Sequence, residues 1–393
     1  MLNLIINWKT WLNIILWYIV LLDLGENSVT LSVQNQKVRY HYLDVLKIIG
    51  ILFVVLYHCG VESVFVGILS YISPIFSVCV AVFFFVNGAL LLNKEIDMKK
   101  HVKKIYKLLF LLLFWGIIIL LSKMIIQNNY LSLYDFLDAL LYLKQPWVHY
   151  LWFFRALIII YLLFPLFKSL YGIHRNYFYF ITIFLLVLSV GSSAFSSLAI
   201  LIESIFSKNI ISEFLKIAND VLHFYGIDFV NFTYAIALFL MGGIFHSFRT
   251  KIKDFFLNKK LYQKVLIIIA LSLTIVLSSA CLKLYADEFF VIDVIWFGMG
   301  SVFTFVNVVC LALISLWLTS GMSEFFLSIS KHTMSIFLVH CVIKEILFLL
   351  VKVLSIPSGA LTAIILFILC FALSYLLGLL MNKNKYSRFF VTL

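Results

Sequence analysis

Charged residues are scarce in this sequence. Only 12% of its 393 residues are charged, the acidic residues number 18, and the whole chain contains four prolines. Hydrophobic residues make up 64% of the chain, and the mean hydropathy is +1.10. So few charges exclude an ordinary soluble domain, which carries about twice this share of charged residues. The chain is therefore predicted to be an all-α, polytopic membrane protein.

Paired cysteines are also missing. The six cysteines form no C-x-x-C pair, and all of them fall in or beside apolar runs. This pattern is typical of free buried thiols, and it predicts neither a metal site nor a disulfide framework.

Internal repeats, low-complexity tracts and a soluble domain are absent as well, so residues 37–393 are predicted to form a single transmembrane domain. Residues 1–36 are predicted to be an N-terminal extension. Their apolar run, from 11 to 24, is shorter than the ~20 residues of a spanning helix and lacks a small-residue cleavage site. An interfacial helix is the first interpretation, and a misassigned start of the reading frame is the alternative.

The rest of the chain contains ten apolar runs that are long enough to cross a bilayer. They cover roughly 44–66, 68–92, 105–126, 150–171, 177–197, 229–248, 262–284, 292–319, 330–354 and 359–381. Lys and Arg concentrate in every second connection, whereas the alternate connections carry more acidic residues. Because basic loops stay in the cytoplasm, both ends of the core are predicted to be cytoplasmic. The net charge of +12 then reflects topology and contact with membrane lipid, and it does not indicate nucleic acid.

Two ionisable residues interrupt the first apolar run. Lys47 and His58 are eleven residues apart, which is close to three helical turns, so both lie on nearly one face of a helix. The rise between them is about 16 Å. Lys47 is either an interfacial anchor or a functional cation, and His58 is either a hydrogen-bonded core residue or a catalytic group. Both interpretations remain open on this helix alone.

A second break lies near the predicted cytoplasmic end of the next run, where Asn87 and Gly88 interrupt an apolar stretch. The pair is explained either by contact with a ligand or by close packing of two helices, and packing is slightly favoured. A basic cluster that includes Lys103 and Lys104 follows at the start of the third run. Together with Arg39, which precedes the first run, these lysines mark the cytoplasmic side and are suited to bind phosphates.

The fourth and ninth runs carry charges at membrane depth. Trp152 fits an aromatic belt at the outer surface, whereas Arg155 lies further in, where a cation costs about 2.5–3.5 kcal/mol unless it snorkels. In the ninth run, His340 is followed one turn later by Lys344 and then by Glu345. Glu345 is expected to pair with Lys344 or with Arg155. Three ionisable groups in one run predict that this helix lines an interior.

Taken together, these stretches resemble the acyltransferase-3 family of integral-membrane acyltransferases, which includes O-acetyltransferases of bacterial cell-surface polysaccharides. The family pattern in its first core helix is a basic residue, ten intervening residues and a histidine. Lys47 and His58 match it, with Lys in place of the usual Arg. Three more stretches match family elements in the right order. Phe83-Phe84-Phe85-Val86-Asn87-Gly88 resembles the family's Phe-Phe-x-x-Ser-Gly element, with Asn in place of Ser. The other two are Leu151-Trp152-Phe153-Phe154, with Tyr161 and Pro165 behind it, and Ser335-Ile336-Phe337-Leu338-Val339-His340. The matches run from about 39 to 345, and ten helices is the family's count.

The resemblance implies transfer of an acyl group, most often acetyl from acetyl-CoA, to a sugar hydroxyl. The acceptor would be a cell-envelope or capsular polysaccharide or a lipid-linked sugar. The enzyme would be a multi-pass protein of the bacterial plasma membrane that uses acyl-CoA as a co-substrate and holds no bound cofactor. The expected residues are His58 and Lys47 for catalysis; Lys103, Lys104, Asn87 and Arg39 for the acyl donor; and Arg155, Trp152, His340 and Glu345 for the acceptor and its path.

The role of His58 and the class of the protein both have alternatives at this point. His58 would act either as a general base on the acceptor hydroxyl or as a covalent acyl carrier. A secondary transporter or lipid-linked glycan flippase would use the same buried charges as a substrate or proton path, although the pseudo-repeated halves of such proteins are not found in this sequence. A membrane glycan polymerase or ligase is a second rival. Label transfer from acetyl-CoA to glycan separates the acyltransferase from both.

Overall fold

Helices and short turns make up the whole of the described chain, and no strand occurs among the described residues. The structure is a computed structural model that describes residues 39–128, 130–142, 148–206, 213–214, 217, 230–288, 290–291, 293–319, 321–357 and 359–393. The predicted N-terminal extension, residues 1–36, lies outside them. The all-α prediction is confirmed.

The helices of the first half of the chain begin with the one that carries Lys47 and His58. They are α1 (His41–His58), α2 (Val78–Leu91), α3 (Met98–Gln127), α4 (Leu133–Tyr142), α5 (Trp152–Ile173) and α6 (Arg175–Phe206). Short 3₁₀ turns at Val61–Val64, Gly67–Tyr71 and Ser73–Ser77 connect α1 to α2, and another at His149–Leu151 leads into α5.

The second half of the chain adds further long helices and three short ones. They are α7 (Val230–Leu257), α8 (Leu261–Glu288), α9 (Val294–Gly298), α10 (Val302–Leu318), α11 (Glu324–Lys331), α12 (Thr333–Val353), α13 (Ala360–Lys383) and α14 (Lys385–Phe389).

Seven helical segments of the described chain are long and apolar enough to cross a membrane. They are His41–His58, Gly67–Leu91, Met98–Gln127, His149–Ile173, Leu261–Asp287, Thr333–Val353 and Ala360–Lys383. Two shorter apolar helical segments, Arg175–Gly191 and Val302–Leu318, accompany them. The polytopic class is thereby supported. The count of ten spans and the cytoplasmic placement of both ends stay predictions.

Glycines end the first helix earlier than the apolar run does. The run was expected to continue to residue 66, but α1 ends at His58, and Gly60 and Gly67 follow with φ of 72° and 59°. Positive φ costs little at glycine, which has no Cβ, so the chain turns here although its hydropathy stays high. The consequence is that His58 is the last residue of its helix, beside an irregular segment.

Helix α3 begins earlier than predicted, at Met98, because Asp97 caps it. The Asp97 carboxylate accepts a hydrogen bond from the backbone N–H of Lys100 at 3.1 Å and pairs with the Lys100 ammonium at 2.9 Å. These contacts satisfy a backbone donor at the helix start. They also hold the pKa of Asp97, which lies on the surface before the span, below its ordinary value, chiefly through the hydrogen bond from Lys100.

Helices α2 and α7 cross with their backbones in contact. A Cβ atom on Gly88 would lie 1.6 Å from the carbonyl oxygen of Phe239, and one on Gly242 would lie 1.9 Å from that of Phe85. Only glycine fits at such positions, and small residues are the usual means by which membrane helices approach each other. The packing explanation of the Asn87-Gly88 pair is therefore confirmed for Gly88.

Helix α1 lies inside the bundle and packs against α2, α10 and α12. Its Leu46, Ile51 and Val55 are fully buried. Because lipid is as apolar as these side chains, close packing rather than escape from water stabilises this arrangement. The packing fixes both ends of α1, and with them Lys47 and His58.

Candidate active site

A cavity of about 360 Å³ opens at the His58 end of α1. Its wall combines aromatic rings with ionisable groups, which is the composition expected of a site that binds a polar ligand in a membrane protein. The ionisable side chains that line it are Tyr57, His58, Cys79, Lys123, His149, Tyr150, Cys341, Lys344 and Glu345. Four helices and one turn supply them: α1, α2, α3, α12 and the turn before α5.

Two histidines meet at this wall. The ring of His58 lies 5.2 Å from the ring of His340, centroid to centroid, and Tyr150 packs edge-on against both at 6.0 and 5.5 Å. His340 is completely buried behind the wall, whereas His58 is partly exposed to the cavity. The fold thus brings together two predicted site residues that the sequence separates widely.

The hydrogen bonds of His340 fix its tautomer. Its Nδ1 lies 2.7 Å from the carbonyl oxygen of Phe337 and 3.2 Å from that of Ile336. A carbonyl oxygen only accepts, so Nδ1 carries the proton and donates it. In the neutral ring, Nε2 then keeps its lone pair, and the Sγ of Cys341 lies 3.3 Å from it. His340 is therefore oriented to accept a proton from a neighbouring thiol.

His58, His340 and Cys341 also form a cluster of potential metal ligands. One nitrogen of each ring and the sulfur all lie within 4.8 Å of one another. Imidazole and thiolate are zinc ligands, but the neighbouring ammonium groups of Lys123 and Lys344 oppose the approach of a divalent cation. The absence of a metal site stays a prediction.

An ion network lies on the same wall. The carboxylate of Glu345 pairs with Lys123 at 2.5 Å and with Lys344 at 3.1 Å, and all three side chains are largely buried. Of the two partners considered for Glu345, Lys344 is thus confirmed, while Arg155 lies elsewhere. Two ammonium groups and one carboxylate leave a net positive charge, which favours anionic groups or developing negative charge in the cavity.

Aromatic rings also line the cavity. The rings of Trp152 and Trp296 meet edge-to-face at 5.5 Å, and His149 lies 4.8 Å from Trp296. Asp293 positions Trp296, since its carboxylate caps α9 by accepting from the backbone N–H of Trp296 at 2.9 Å. Tyr57 at the end of α1 donates to the same carboxylate. The flat apolar faces of these rings are suited to stack on a sugar ring.

Lys47 lies at the other end of α1, away from this cavity. Its ammonium pairs with Asp44 at 2.8 Å, and the Asp44 side chain is 4% exposed. Ser330 at the end of α11 also donates to that carboxylate. Lys47 is itself 23% exposed, so one side of it remains open to a ligand.

The remaining predicted residues are not among the cavity-lining residues of the described chain. Asn87 donates to the carbonyl oxygen of Phe83 at 2.8 Å and lies 3.5 Å from the Tyr161 hydroxyl. Arg155 is exposed and donates to the carbonyl oxygen of Tyr142 at 3.1 Å. Their roles stay predictions, as do those of three exposed basic residues on the surface: Arg39, Lys103 and Lys104.

Sequence reasoning missed three members of the site. Lys123 was not singled out in the sequence, although it lies inside an apolar run, and it pairs with Glu345. Cys341 was taken for an inert buried thiol, although its position directly after His340 was a visible signal. Trp296 gave no signal, because its contact with Trp152 arises only when α9 and α5 are brought together.

Comparison with known proteins places this geometry in a family. A family model described as an acyltransferase domain matches residues 40–379, which is nearly the whole described chain. No curated protein and no solved structure matches the chain. The matched region contains both histidines, the cavity and the ion network. The chain therefore belongs to the acyltransferase-3 family, as its motifs indicate, and it is a membrane-embedded acyltransferase.

Proposed function

We propose that this acyltransferase transfers an acetyl group from acetyl-CoA to a hydroxyl of a cell-envelope or capsular polysaccharide, or of its lipid-linked precursor, in the bacterial plasma membrane. The observation that carries the proposal is that His58 on the cavity wall contacts buried His340, at a ring distance of 5.2 Å, in a chain of this family. Acyl transfer to a hydroxyl needs a base beside a space that admits the acceptor, and this wall supplies both.

His58 is the group that meets the acceptor. It is partly exposed to the cavity, and it stands at the end of its helix, so a hydroxyl that enters the cavity reaches its ring. A general base in this position takes the hydroxyl proton as the oxygen attacks the acyl carbon, which is worth about 10²–10⁴ in rate. The positive charge left by Lys123, Lys344 and Glu345 favours the negative charge that develops on the acyl oxygen.

The acyl donor approaches from the other end of α1. Exposed Arg39, Lys103 and Lys104 offer charges to the phosphates of CoA, and Lys47 and Asn87 lie between them and the cavity along the helices. The rise from Lys47 to His58 is about 16 Å, so the thioester has to reach deep into the bundle while its phosphates stay at the surface.

The acceptor sugar occupies the aromatic side of the cavity. Trp152 and Trp296 present ring faces and edges there, and the ion network lines the same cavity. A sugar held between them has apolar C–H groups against the rings and hydroxyls toward His58 and the charges. Arg155, one turn behind Trp152 on α5, is placed to hold a more distant part of a long acceptor.

Label transfer tests the proposal. Membranes that contain the protein, and equal membranes without it, are incubated with acetyl-labelled acetyl-CoA and cell-envelope glycan. Label that enters alkali-labile esters of the glycan only when the protein is present supports the function. A transporter or flippase would move glycan across the membrane without labelling it, and a polymerase or ligase would change chain length without labelling it. Either result would overturn the proposal.

A further inference from the structure

Cys341 is a thiol that the proposed acid–base chemistry does not use, yet it stands on the cavity wall. Along α12, Cys341 lies four residues after Phe337 and three and four residues before Lys344 and Glu345, and all four side chains line the cavity. The thiol therefore faces the space in which acyl donor and acceptor would meet. It is not an isolated cysteine, because a buried histidine contacts its sulfur.

The contact between Cys341 and His340 is that of a nucleophile with its base. The Sγ of Cys341 lies 3.3 Å from Nε2 of His340, and the proton on Nδ1 of that ring is committed to the carbonyl oxygen of Phe337. A neutral histidine held in this tautomer accepts the thiol proton, and a backbone carbonyl then stabilises the imidazolium that forms. Lys344, one turn further on α12, places a positive charge on the same face of the helix as the sulfur.

We propose that Cys341 carries the acyl group from donor to acceptor as a thioester. The inference rests on the proposed function and adds a step to it. Cys341 transfers its proton to His340 while its sulfur attacks the carbonyl carbon of the acyl-CoA thioester. A new C–S bond to Cys341 forms, the C–S bond to CoA breaks, and CoA leaves as a thiol with the proton from His340. Exchange of one thioester for another has little driving force in either direction, so the acyl group remains activated.

The second half of the reaction uses His58. The acceptor hydroxyl gives its proton to His58, and its oxygen attacks the acyl carbon on Cys341. The C–S bond to Cys341 breaks, and the thiolate takes the proton back, which is possible because the ligand atoms of His58, His340 and Cys341 all lie within 4.8 Å. The sum is acyl-CoA plus hydroxyl giving ester plus CoA thiol. Two adjacent histidines are explained by one serving each half of the reaction.

Other cysteines of the chain provide matched controls. Cys370 also contacts His340, but its Sγ lies 3.4 Å from the backbone carbonyl oxygen, and it is not among the described cavity-lining residues. Cys281 is exposed on α8. Cys370→Ser therefore tests the loss of a thiol beside the same histidine, and Cys281→Ser tests the loss of an accessible thiol elsewhere.

The experiment is single-turnover labelling without acceptor. Purified full-length protein in detergent is mixed with acetyl-labelled acetyl-CoA, denatured, separated from free label and counted. Wild type, Cys281→Ser and Cys370→Ser should each retain label that neutral hydroxylamine releases, and mass spectrometry should place the acetyl group on the peptide with Cys341. Cys341→Ala should retain none, and its glycan acetylation should fall by about 100-fold or more, as for loss of a covalent nucleophile.

The outcomes separate this inference from the proposed function. If Cys341→Ala acetylates glycan at the wild-type rate, or if the label lies on His58, the thioester step is wrong while the function stands. If wild type labels Cys341 but no glycan, the proposed acceptor is wrong while the thioester stands. Cys341→Ser, which keeps the volume of the side chain, guards against misfolding. It should show wild-type abundance and melting temperature, with label that resists neutral hydroxylamine or with none.

Discussion

The two ends of α1 differ in what surrounds their ionisable side chains. At the N-terminal end, which we call the closed end, Lys47 and buried Asp44 form an ion pair, and Ser330 donates to the same carboxylate. The crossing of α2 and α7 at Gly88 and Gly242 packs nearby. At the C-terminal end, which we call the open end, His58 contacts His340 beside a cavity of about 360 Å³. One helix therefore carries polar side chains that are paired with other residues at one end and a polar side chain that lines a cavity at the other.

In a membrane bundle, catalytic groups are expected where ionisable side chains border a cavity rather than where they are paired with each other. A buried charge with a partner contributes little net stability but is costly to break. An imidazole on a cavity wall keeps a nitrogen available for a substrate. By this comparison, substitutions at the open end should remove turnover and leave the fold intact, and substitutions at the closed end should act on folding first.

The largest expected effect is that of His58→Ala. Acetylation of glycan should fall by at least about 100-fold, because a general base is removed, while protein abundance in the membrane stays near that of wild type. Quantified glycan acetate in cells that express each variant measures this. His174→Ala, at an exposed histidine between α5 and α6, is the matched control and should be fully active. Activity of His58→Ala within a few-fold of wild type would remove the open end from catalysis.

Next in size is Gly88→Ala at the closed end. Its Cβ would overlap the Phe239 carbonyl at 1.6 Å, so α2 and α7 must separate, and the amount of folded protein should drop several-fold with turnover per folded molecule little changed. Gly172→Ala adds the same methyl group to α5 where no atom lies within 4 Å. It should be neutral or stabilise by up to about 1 kcal/mol. Equal amounts of folded protein for the two variants, with equal melting temperatures in detergent, would contradict the close contact of α2 and α7 at Gly88.

Some features of the two ends of α1 could be predicted from the sequence, and the others could not for physical reasons. Hydropathy identified the helices because lipid requires long apolar segments. It did not show that α1 ends at His58, since Gly60 turns the backbone without adding polarity. The spacing of Lys47 and His58 was also visible, and so was Asp44, one turn before Lys47.

The meeting of α1 with α12 could not be predicted in the same way. Whether His58 lies against His340 depends on how helices far apart in sequence pack, and no local pattern fixes that. Lys123 was overlooked for a related reason. A lysine near the end of an apolar run looks like a loop marker until its partner Glu345, on another helix, is known. Tertiary packing, rather than propensity, therefore decided the composition of the site.

A smaller effect is expected for Lys47→Gln, and it has two separable parts. If Lys47 also holds a CoA phosphate, loss of a charge-assisted hydrogen bond worth roughly 1.5–3 kcal/mol should raise the KM for acetyl-CoA about ten- to a hundredfold. The same substitution leaves Asp44 buried without its cation, so the melting temperature should fall. The double variant Asp44→Asn/Lys47→Gln removes both charges. It should recover most of the melting temperature and keep the raised KM. Recovery of both would make Lys47 purely structural.

The smallest expected effect is that of Lys47→Arg. A guanidinium still pairs with Asp44, and the family usually has Arg at this position. The melting temperature should therefore stay near that of wild type, and the KM for acetyl-CoA should stay within a few-fold of it. The planar fork of Arg is larger than an ammonium, and Lys47 is 23% exposed, which leaves it room on one side. Steady-state kinetics in membranes, with Lys47→Gln measured alongside, provide the check. If Lys47→Arg were as impaired as Lys47→Gln, the closed end would depend on the shape of the lysine head group rather than on its charge. The donor phosphate contact would then have to be assigned to the exposed cations Arg39, Lys103 and Lys104 alone.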